Sequence, residues 1–337
     1  MPSPSSPPEY FNRLTCFSQI FRALDVFWGT PAHFAVFMTL SAVILVPSII
    51  FMAVSVSFIA STTEDEDNTQ SESDVAALLT EHLPVFLSMI AIQTCVFVLL
   101  SIAGRGGMIR AVAEIYLGVT PEWLACLKVG ANYFWALLCS GFVIMLVVLA
   151  MALVPALFVG IAAATDSGFA FFLVALAYVA FLVGYVYVLI CSIIVFPVIV
   201  VENKGPIEGV KRAVSLVQGS WCDVFCVLFI FQVCTTAISA LLQNIILGQD
   251  PLAVFTPMGV VISYLPQLMF LPATQILQTV VYFNLRIQKE GLNSEVLSRE
   301  VIECGASADA AAYASLASDS EYKDSNSLPT AIFKEVV

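Results

Sequence analysis

The side chains of this sequence that could recognise a solute within an apolar environment are amides and hydroxyls. Gln232, Thr236, Ser239 and Gln243 are spaced by three or four, with Thr235 and Asn244 beside them. Gln267, Thr274 and Gln278 follow at intervals of seven and four, with Ser263 and Gln275 nearby. On a helix each set makes one stripe, because positions three and four apart share a face. Two chemistries fit. Facing stripes can set packing through interhelical hydrogen bonds of about 0.6 to 2 kcal/mol each. Alternatively they can line a polar cavity for a neutral solute, with Gln232, Gln243, Gln267, Gln275 and Gln278 as the lining. Pro266 and Pro272 support the second reading, since a break there would turn backbone carbonyls toward a ligand. Pro155 and Pro197 are expected to kink their own segments in the same way.

Catalysis would ask for something else, an acid and a base or a metal cluster at one depth. His33 and His82, the two histidines, fall at ends of their segments that face opposite sides. Cys222 and Cys226 are one helical turn apart, but no further ligands stand near to complete a structural zinc site, so they read as helix-packing residues. The nine cysteines lie in apolar segments or on one side of them, which argues against a disulfide framework. No catalytic residue, metal ligand or cofactor is expected.

These side chains sit on six long apolar segments, 34–60, 84–104, 131–163, 169–200, 224–247 and 255–284, none of which contains Lys, Arg, Asp or Glu. Each is long enough to cross a bilayer. A composition of 60% hydrophobic and 11% charged residues agrees. Carboxylates or arginines inside the hydrocarbon cost about 2.5 to 3.5 kcal/mol and persist only for use, so proton-coupled and voltage-sensing mechanisms are disfavoured. The Lys and Arg residues all precede segments one, three and five or follow the sixth, which predicts cytoplasmic N- and C-termini. The other side holds acidic residues, and the polar stretch 61–75 is expected to be a loosely ordered loop. Net charge, -12, therefore says little about partners.

Three basic stretches share a pattern. Arg22-Ala23, Arg110-Ala111 and Arg212-Ala213 align, and Gly29, Gly118 and Gly219 follow them. Phe17, Ile20, Phe21, Leu24 and Phe27 or Trp28 make one apolar face, and Ile207, Val210, Val214 and Val217 make another. The fold class is thus all-α: a polytopic integral membrane protein with six transmembrane helices and three cytoplasmic interfacial amphipathic helices, each ending at a left-handed glycine. Arg110, Lys204, Lys211, Arg212 and Arg286 are candidate contacts for lipid headgroups, worth about 1 kcal/mol each. The glycines around Arg105 (AGRGGMIR) lack the Gly-Lys-Ser/Thr ending of a phosphate loop and read as a tight exit from the second span. Residues 1–12 are expected to form a disordered tail without the features of a secretory signal, 13–290 the membrane domain, and 291–337 a largely flexible cytoplasmic tail. Within that tail, Tyr313 to Leu316 fits a tyrosine-based sorting signal.

Four stretches carry a resemblance: FSQIFRALDVFWGTPAHF, GGMIRAVAEIYLGVTPEWLACL, PVIVVENKGPIEGVKRAVSLVQGSW and VVYFNLRIQKEG. The chain resembles a broad family that includes the membrane domain attached to some bacterial glycerophosphodiester phosphodiesterases and a group of plant transmembrane proteins. Pro197, Glu202, Gly205 or Gly209, Lys211 and Ser215 match one family motif. Tyr282, Leu285, Arg286, Glu290 and Gly291 match another, in which Asn284 stands where relatives carry Asp. The resemblance implies six-helix architecture and no hydrolytic activity, because the phosphodiesterase chemistry belongs to a separate barrel that this sequence lacks. The expected function is a membrane scaffold or a lipid- and protein-interaction module, with membrane lipids as partners and proteins recruited by the cytoplasmic helices and tail. The rival is a permease for a neutral or lipid-like solute. No nucleic acid partner is expected.

Overall fold

A computed structural model describes residues 14–64, 72–165, 168–247 and 257–304. The expected tail 1–12, the middle of the acidic loop and the region from 305 onward, with Tyr313 to Leu316, lie outside the described residues. In chain order the helices are α1 (Cys16–Trp28), α2 (Pro31–Glu64), α3 (Glu72–Tyr116), α4 (Trp123–Asn132), α5 (Phe134–Thr165), α6 (Gly168–Glu202), α7 (Pro206–Val217), α8 (Trp221–Leu247), α9 (Pro257–Glu290) and α10 (Ser294–Cys304). Among the described residues there is no strand. Six stretches are long and apolar enough to cross a membrane: Pro31–Val54, Ala91–Tyr116, Phe134–Ala164, Phe171–Glu202, Trp221–Ile246 and Tyr264–Glu290. The protein is an all-α, polytopic integral membrane protein. Helices are the solution because hydrocarbon offers no partner for backbone N–H and C=O groups. They continue even through Pro155, Pro197, Pro266 and Pro272, each of which lies inside its helix.

The sixth span is the hub. From Ala273 to Ile287, α9 is buried at almost every position, and it packs on α1, α2, α3, α6, α7 and α8. The core gathers at one end of the bundle. Phe37, Leu40 and Ile44 of α2, Met108 to Tyr116 of α3, Ile194 to Val201 of α6 and Val224 and Val227 of α8 meet α9 there. That end also holds α1, α4, α7, α10 and the described Lys and Arg residues, and is called the basic end below. Toward the other end α3 is exposed at nearly every position from Ala91 to Leu99, and the α5–α6 hairpin is mostly exposed. Apolar helices gain little from each other in lipid, so close packing develops where small or polar groups permit it.

Two elements depart from the expected pattern. The second interfacial helix is not separate: α3 runs unbroken through Gly104, Arg105, Gly106 and Gly107 to Tyr116, and residues 106–116 are all buried. The glycines are packing notches rather than an exit. A Cβ on Gly106 would lie 2.7 Å from the Gly130 Cα, and one on Gly107 would lie 3.1 Å from the Cys126 carbonyl oxygen. One on Gly104 would overlap the Ile44 side chain. The short helix before the third span is instead α4, which crosses α3 at these notches. As a result Arg105, Arg110 and Glu114 lie within the second apolar stretch, and Arg286 within the sixth, where no charge was expected. Of the glycine stops, Gly118 (φ 76) and Gly219 (φ 86) are left-handed as expected, whereas Gly29 is right-handed (φ -58).

The second departure is α10. Leu292, Leu297 and Val301 are buried, and α10 packs on α3 and α6. The stretch 294–304, expected in a tail, is therefore part of the folded body.

Candidate functional site

The polar stripe of α8 bonds mainly to its own helix. The Thr235 hydroxyl donates to the Gln232 carbonyl (3.0 Å), Ser239 to the Thr235 carbonyl (2.8 Å), and the Asn244 amide to the Ala240 carbonyl (2.9 Å). Gln232 Nε2 reaches Thr236 Oγ1 at 3.2 Å, and both side chains are exposed. Such local bonds satisfy a hydroxyl without a partner helix. On α9, Gln267 is exposed, Gln278 half-buried and Gln275 buried; Gln243 of α8 is half-buried. Thr274 and Thr279 donate to the Phe270 and Gln275 carbonyls. A recess of about 360 Å³ lies between α5 and α6, lined by Met151, Phe158, Leu176 and Phe181. A second, of about 370 Å³, is lined by Cys139, Val143, Pro206 and Ile207. None of the five glutamines lines either recess. Cys222 and Cys226, expected in a helix contact, are both exposed.

Where the basic residues go is more informative. Arg286 of α9 is buried, and it donates through Nη1 and Nη2 to both oxygens of Glu300 on α10 (2.6 and 2.8 Å). Its Nε lies 3.2 Å from Glu290, and its Nη1 donates to the Tyr282 hydroxyl (3.2 Å). That hydroxyl in turn donates to Glu202 Oε1 at 3.0 Å, at the end of α6. Arg212 of α7 closes the network by pairing with both Glu202 and Glu290. Burial opposes the Arg212 charge, but the bonds to these two carboxylates outweigh it and hold the guanidinium above its usual range. Four helices thus meet at one cluster. Bidentate Arg–carboxylate geometry supplies strength and orientation together.

A second buried pair stands beside it. Arg110 Nε donates to Glu114 Oε1 (2.8 Å), and Arg110 Nη1 donates to the Val301 carbonyl of α10 (2.7 Å). The Cys126 thiol of α4 points at the other Glu114 oxygen, 3.6 Å away. Of the five cations expected at lipid headgroups, Arg110 and Arg286 are therefore turned inward, and Arg212 is at the rim with both its carboxylates. Only Lys204, half-buried, and Lys211, exposed, remain at the surface. The acidic partners were not foreseen as a group, although Arg110 with Glu114 and Arg286 with Glu290 carry the i, i+4 signature of a helical ion pair. Glu202 and Glu300 carry no such local signal, since tertiary packing alone brings them to Arg286.

Cys126 offers a direct check of this burial. Desolvation, and next the Glu114 carboxylate, push its thiol well above the usual range. The folded state then holds the proton to higher pH than the unfolded chain. That contribution to stability is complete below the ordinary thiol range and is lost as pH rises through it toward the folded-state value. Intact protein is expected to alkylate at exposed Cys222 and leave Cys126 unmodified. Raising the pH from neutral to about 9.5, past the ordinary thiol range, should lower the melting temperature of the native protein more than that of Cys126→Ala. Equal losses would contradict the assignment.

Asn284 ties the start of the chain's described part to α9. Its Oδ1 accepts from the Leu14 N–H (3.0 Å), and its Nδ2 donates to the Leu14 carbonyl (3.3 Å). An Asp could make the first bond but not the second, so the amide suits a backbone clasp that fixes the entry to α1. On α1 itself, Ala23, Val26 and Phe27 face the core while Phe17, Phe21 and Trp28 are exposed. The four Trp residues of the chain, Trp28, Trp123, Trp135 and Trp221, are all exposed and all at the basic end.

A family model described as a domain of unknown function (DUF8558) matches residues 18–301. The chain belongs to this family. No curated protein and no solved structure matches it. The DUF8558 match opens inside α1 and closes at Val301, the residue whose carbonyl accepts from Arg110. The family unit therefore takes in most of α10 and both ion clusters, beyond residue 290 where the membrane domain was expected to end.

Proposed function

We propose that this DUF8558 protein is a non-catalytic membrane scaffold, whose basic end faces the cytoplasm and engages lipids and protein partners. The observation that carries the reading is the two-sided apolarity of α1. One apolar face is spent on the core, and Phe17 at 63%, Phe21 at 69% and Trp28 at 54% exposure form a second face. An exposed apolar face beside cations favours the headgroup boundary. Exposed Ile207 on α7, near Lys211, repeats the arrangement. The four Trp side chains support a membrane boundary at this level, where amphipathic aromatic rings collect. The positive-inside rule then assigns this end to the cytoplasm. The ion clusters act as structure in this reading, since Arg110 and Arg286 each already meet a carboxylate.

The test is native mass spectrometry of the protein released from mild detergent. Phospholipid should be retained at fixed stoichiometry, and Phe17→Ser with Phe21→Ser should lower that retention. A neutral solute retained instead, and lost in Gln267→Leu with Gln275→Leu, would replace the scaffold with a permease.

A further inference from the structure

Most buried polar groups described at the basic end have partners, but one partly buried guanidinium and two buried hydroxyls do not. Arg105 is partly buried and, among the described residues, no carboxylate or other hydrogen-bonding group meets it; its guanidinium lies 6.0 Å from the centre of the Phe196 ring on α6. That distance is the outer limit of a cation–π contact, which cannot replace a counter-ion. Arg110, Arg212, Arg286 and Arg299 each have a carboxylate. The other two groups are hydroxyls. Among the described residues, Ser101 Oγ and Ser48 Oγ are the buried side-chain atoms without a hydrogen-bond partner.

Helical spacing and register place the three at neighbouring levels of α2 and α3. Ser101 and Arg105 are one turn apart on α3, so they share a face with Cβ atoms about 6 Å apart. The side chain of a helical residue leans toward the N-terminal turn, which carries the Arg105 head toward Ser101. The α2 and α3 helices run antiparallel, and Gly104 meets Ile44. One turn further along, Ser48 stands at the level of Ser101. A lone guanidinium and two unsatisfied hydroxyl donors in an apolar setting are costly, and together they suit an anionic oxygen group.

The surroundings specify what carries that anion. Phe196 is six residues before Glu202, about 9 Å deeper along α6 than the ion cluster at 1.5 Å per residue. Beyond Arg105, away from the basic end, Ile102 is half-exposed and Val98, Phe97 and Cys95 are exposed. From Arg105 to Ile92 the helix covers about 20 Å, enough to line one leaflet of acyl chain. We infer that Arg105, Ser101 and Ser48 bind the phosphate of an anionic phospholipid from the leaflet at the basic end, whose chains lie along α3. The planar guanidinium fork matches phosphate oxygens, and the hydroxyls donate the remaining bonds. This site is distinct from the cations expected at the surface, and it rests on the lipid-engaging reading above.

The test uses the full chain in nanodiscs of phosphatidylcholine doped with phosphatidylserine, followed by native mass spectrometry. Arg105→Gln should lower phosphatidylserine retention about tenfold or more, the scale of one charge-assisted hydrogen bond, and Arg105→Lys should restore part of it. Arg299→Gln, at an exposed cation of α10 that pairs with Glu295, should leave it nearly unchanged. Ser48→Ala with Ser101→Ala guards against a misfolded Arg105 variant. It should lower retention severalfold while melting at or above the native temperature in lipid-free detergent, because two unsatisfied hydroxyls are gone. Wild-type retention in Arg105→Gln would overturn the site, and so would displacement of the lipid by inorganic phosphate, which would identify a soluble anion. If Arg105→Gln behaves as wild type while the Phe17 and Phe21 variant loses lipid, this site fails alone. If the native protein retains no phospholipid, the scaffold reading fails with it.

Discussion

Gly130→Val is expected to abolish recovery of monodisperse protein, and Gly130→Ala to lower stability by about 3 kcal/mol, the upper end of the overpacking range. A Cβ at Gly130 would overlap the Ala103 carbonyl oxygen and lie 2.6 Å from the Gly107 backbone nitrogen. Both obstacles are backbone, so no rotamer change can relieve them. The alternative is separation of α3 from α4, which would open the Gly106–Gly130 and Gly107–Cys126 contacts together. Small residues at such crossings are how membrane helices bring their backbones close. Gly141 gives the control, because a Cβ there meets nothing within 4 Å. Gly141→Ala should be neutral or gain a few tenths up to about 1 kcal/mol from helix propensity. Thermal unfolding in one detergent, read by size exclusion, checks the pair; coincident melting of Gly130→Ala and the native protein would remove the notch from the account.

Removing the Arg286 charge is the second large effect. Arg286→Gln should cost about 3 to 5 kcal/mol, the scale for breaking one side of a buried ion pair. The Arg286 and Glu202 side chains are each only 6% exposed. Glutamine would leave Glu300 without its bidentate partner and Glu202 dependent on Arg212 and Tyr282 alone. Since Glu300 sits on α10, the loss should appear there first, as faster hydrogen exchange across Ser294–Cys304 at temperatures where α9 stays protected. Glu300→Gln should be milder, because its side chain is 22% exposed and water can solvate what remains. A double-mutant cycle between the two should show strong coupling, as direct partners do. Arg299 and Glu295, at 72% and 76% exposure, make the contrasting pair. Arg299→Ala should change stability immeasurably. Arg286→Gln with native melting and native exchange in α10 would mean that the cluster does not hold the helix.

Much of the architecture was legible in the chain itself. Long segments free of charge have one stable state in a bilayer, so six spans follow from apolar length alone. Helices at the first and third basic stretches were legible too, since α1 and α7 fall on them. The same method failed on residues 106–116. That stretch is packed on every side, and its Arg110 and Glu114 neutralise each other, so basic amphipathic spacing there did not mean a surface. The amides on α8 and α9 fit either packing or a lined gap in the sequence; local bonds to the helix satisfy much of the α8 stripe, and Gln267 is exposed.

The sequence by itself determined the class of the protein, the number of its spans and the segregation of its described basic residues to one end. These depend on the transfer of whole segments between water and hydrocarbon, a sum over some twenty residues that no single contact can reverse. Only the tertiary structure decided which charges are internal. Arg286 meets Glu202 and Glu300, Arg110 meets Val301, and Arg105 meets no carboxylate among the described residues, because those outcomes depend on which helices cross and how closely. A backbone contact at Gly130 and the seating of α10 set them, and neither leaves a periodic trace in the chain.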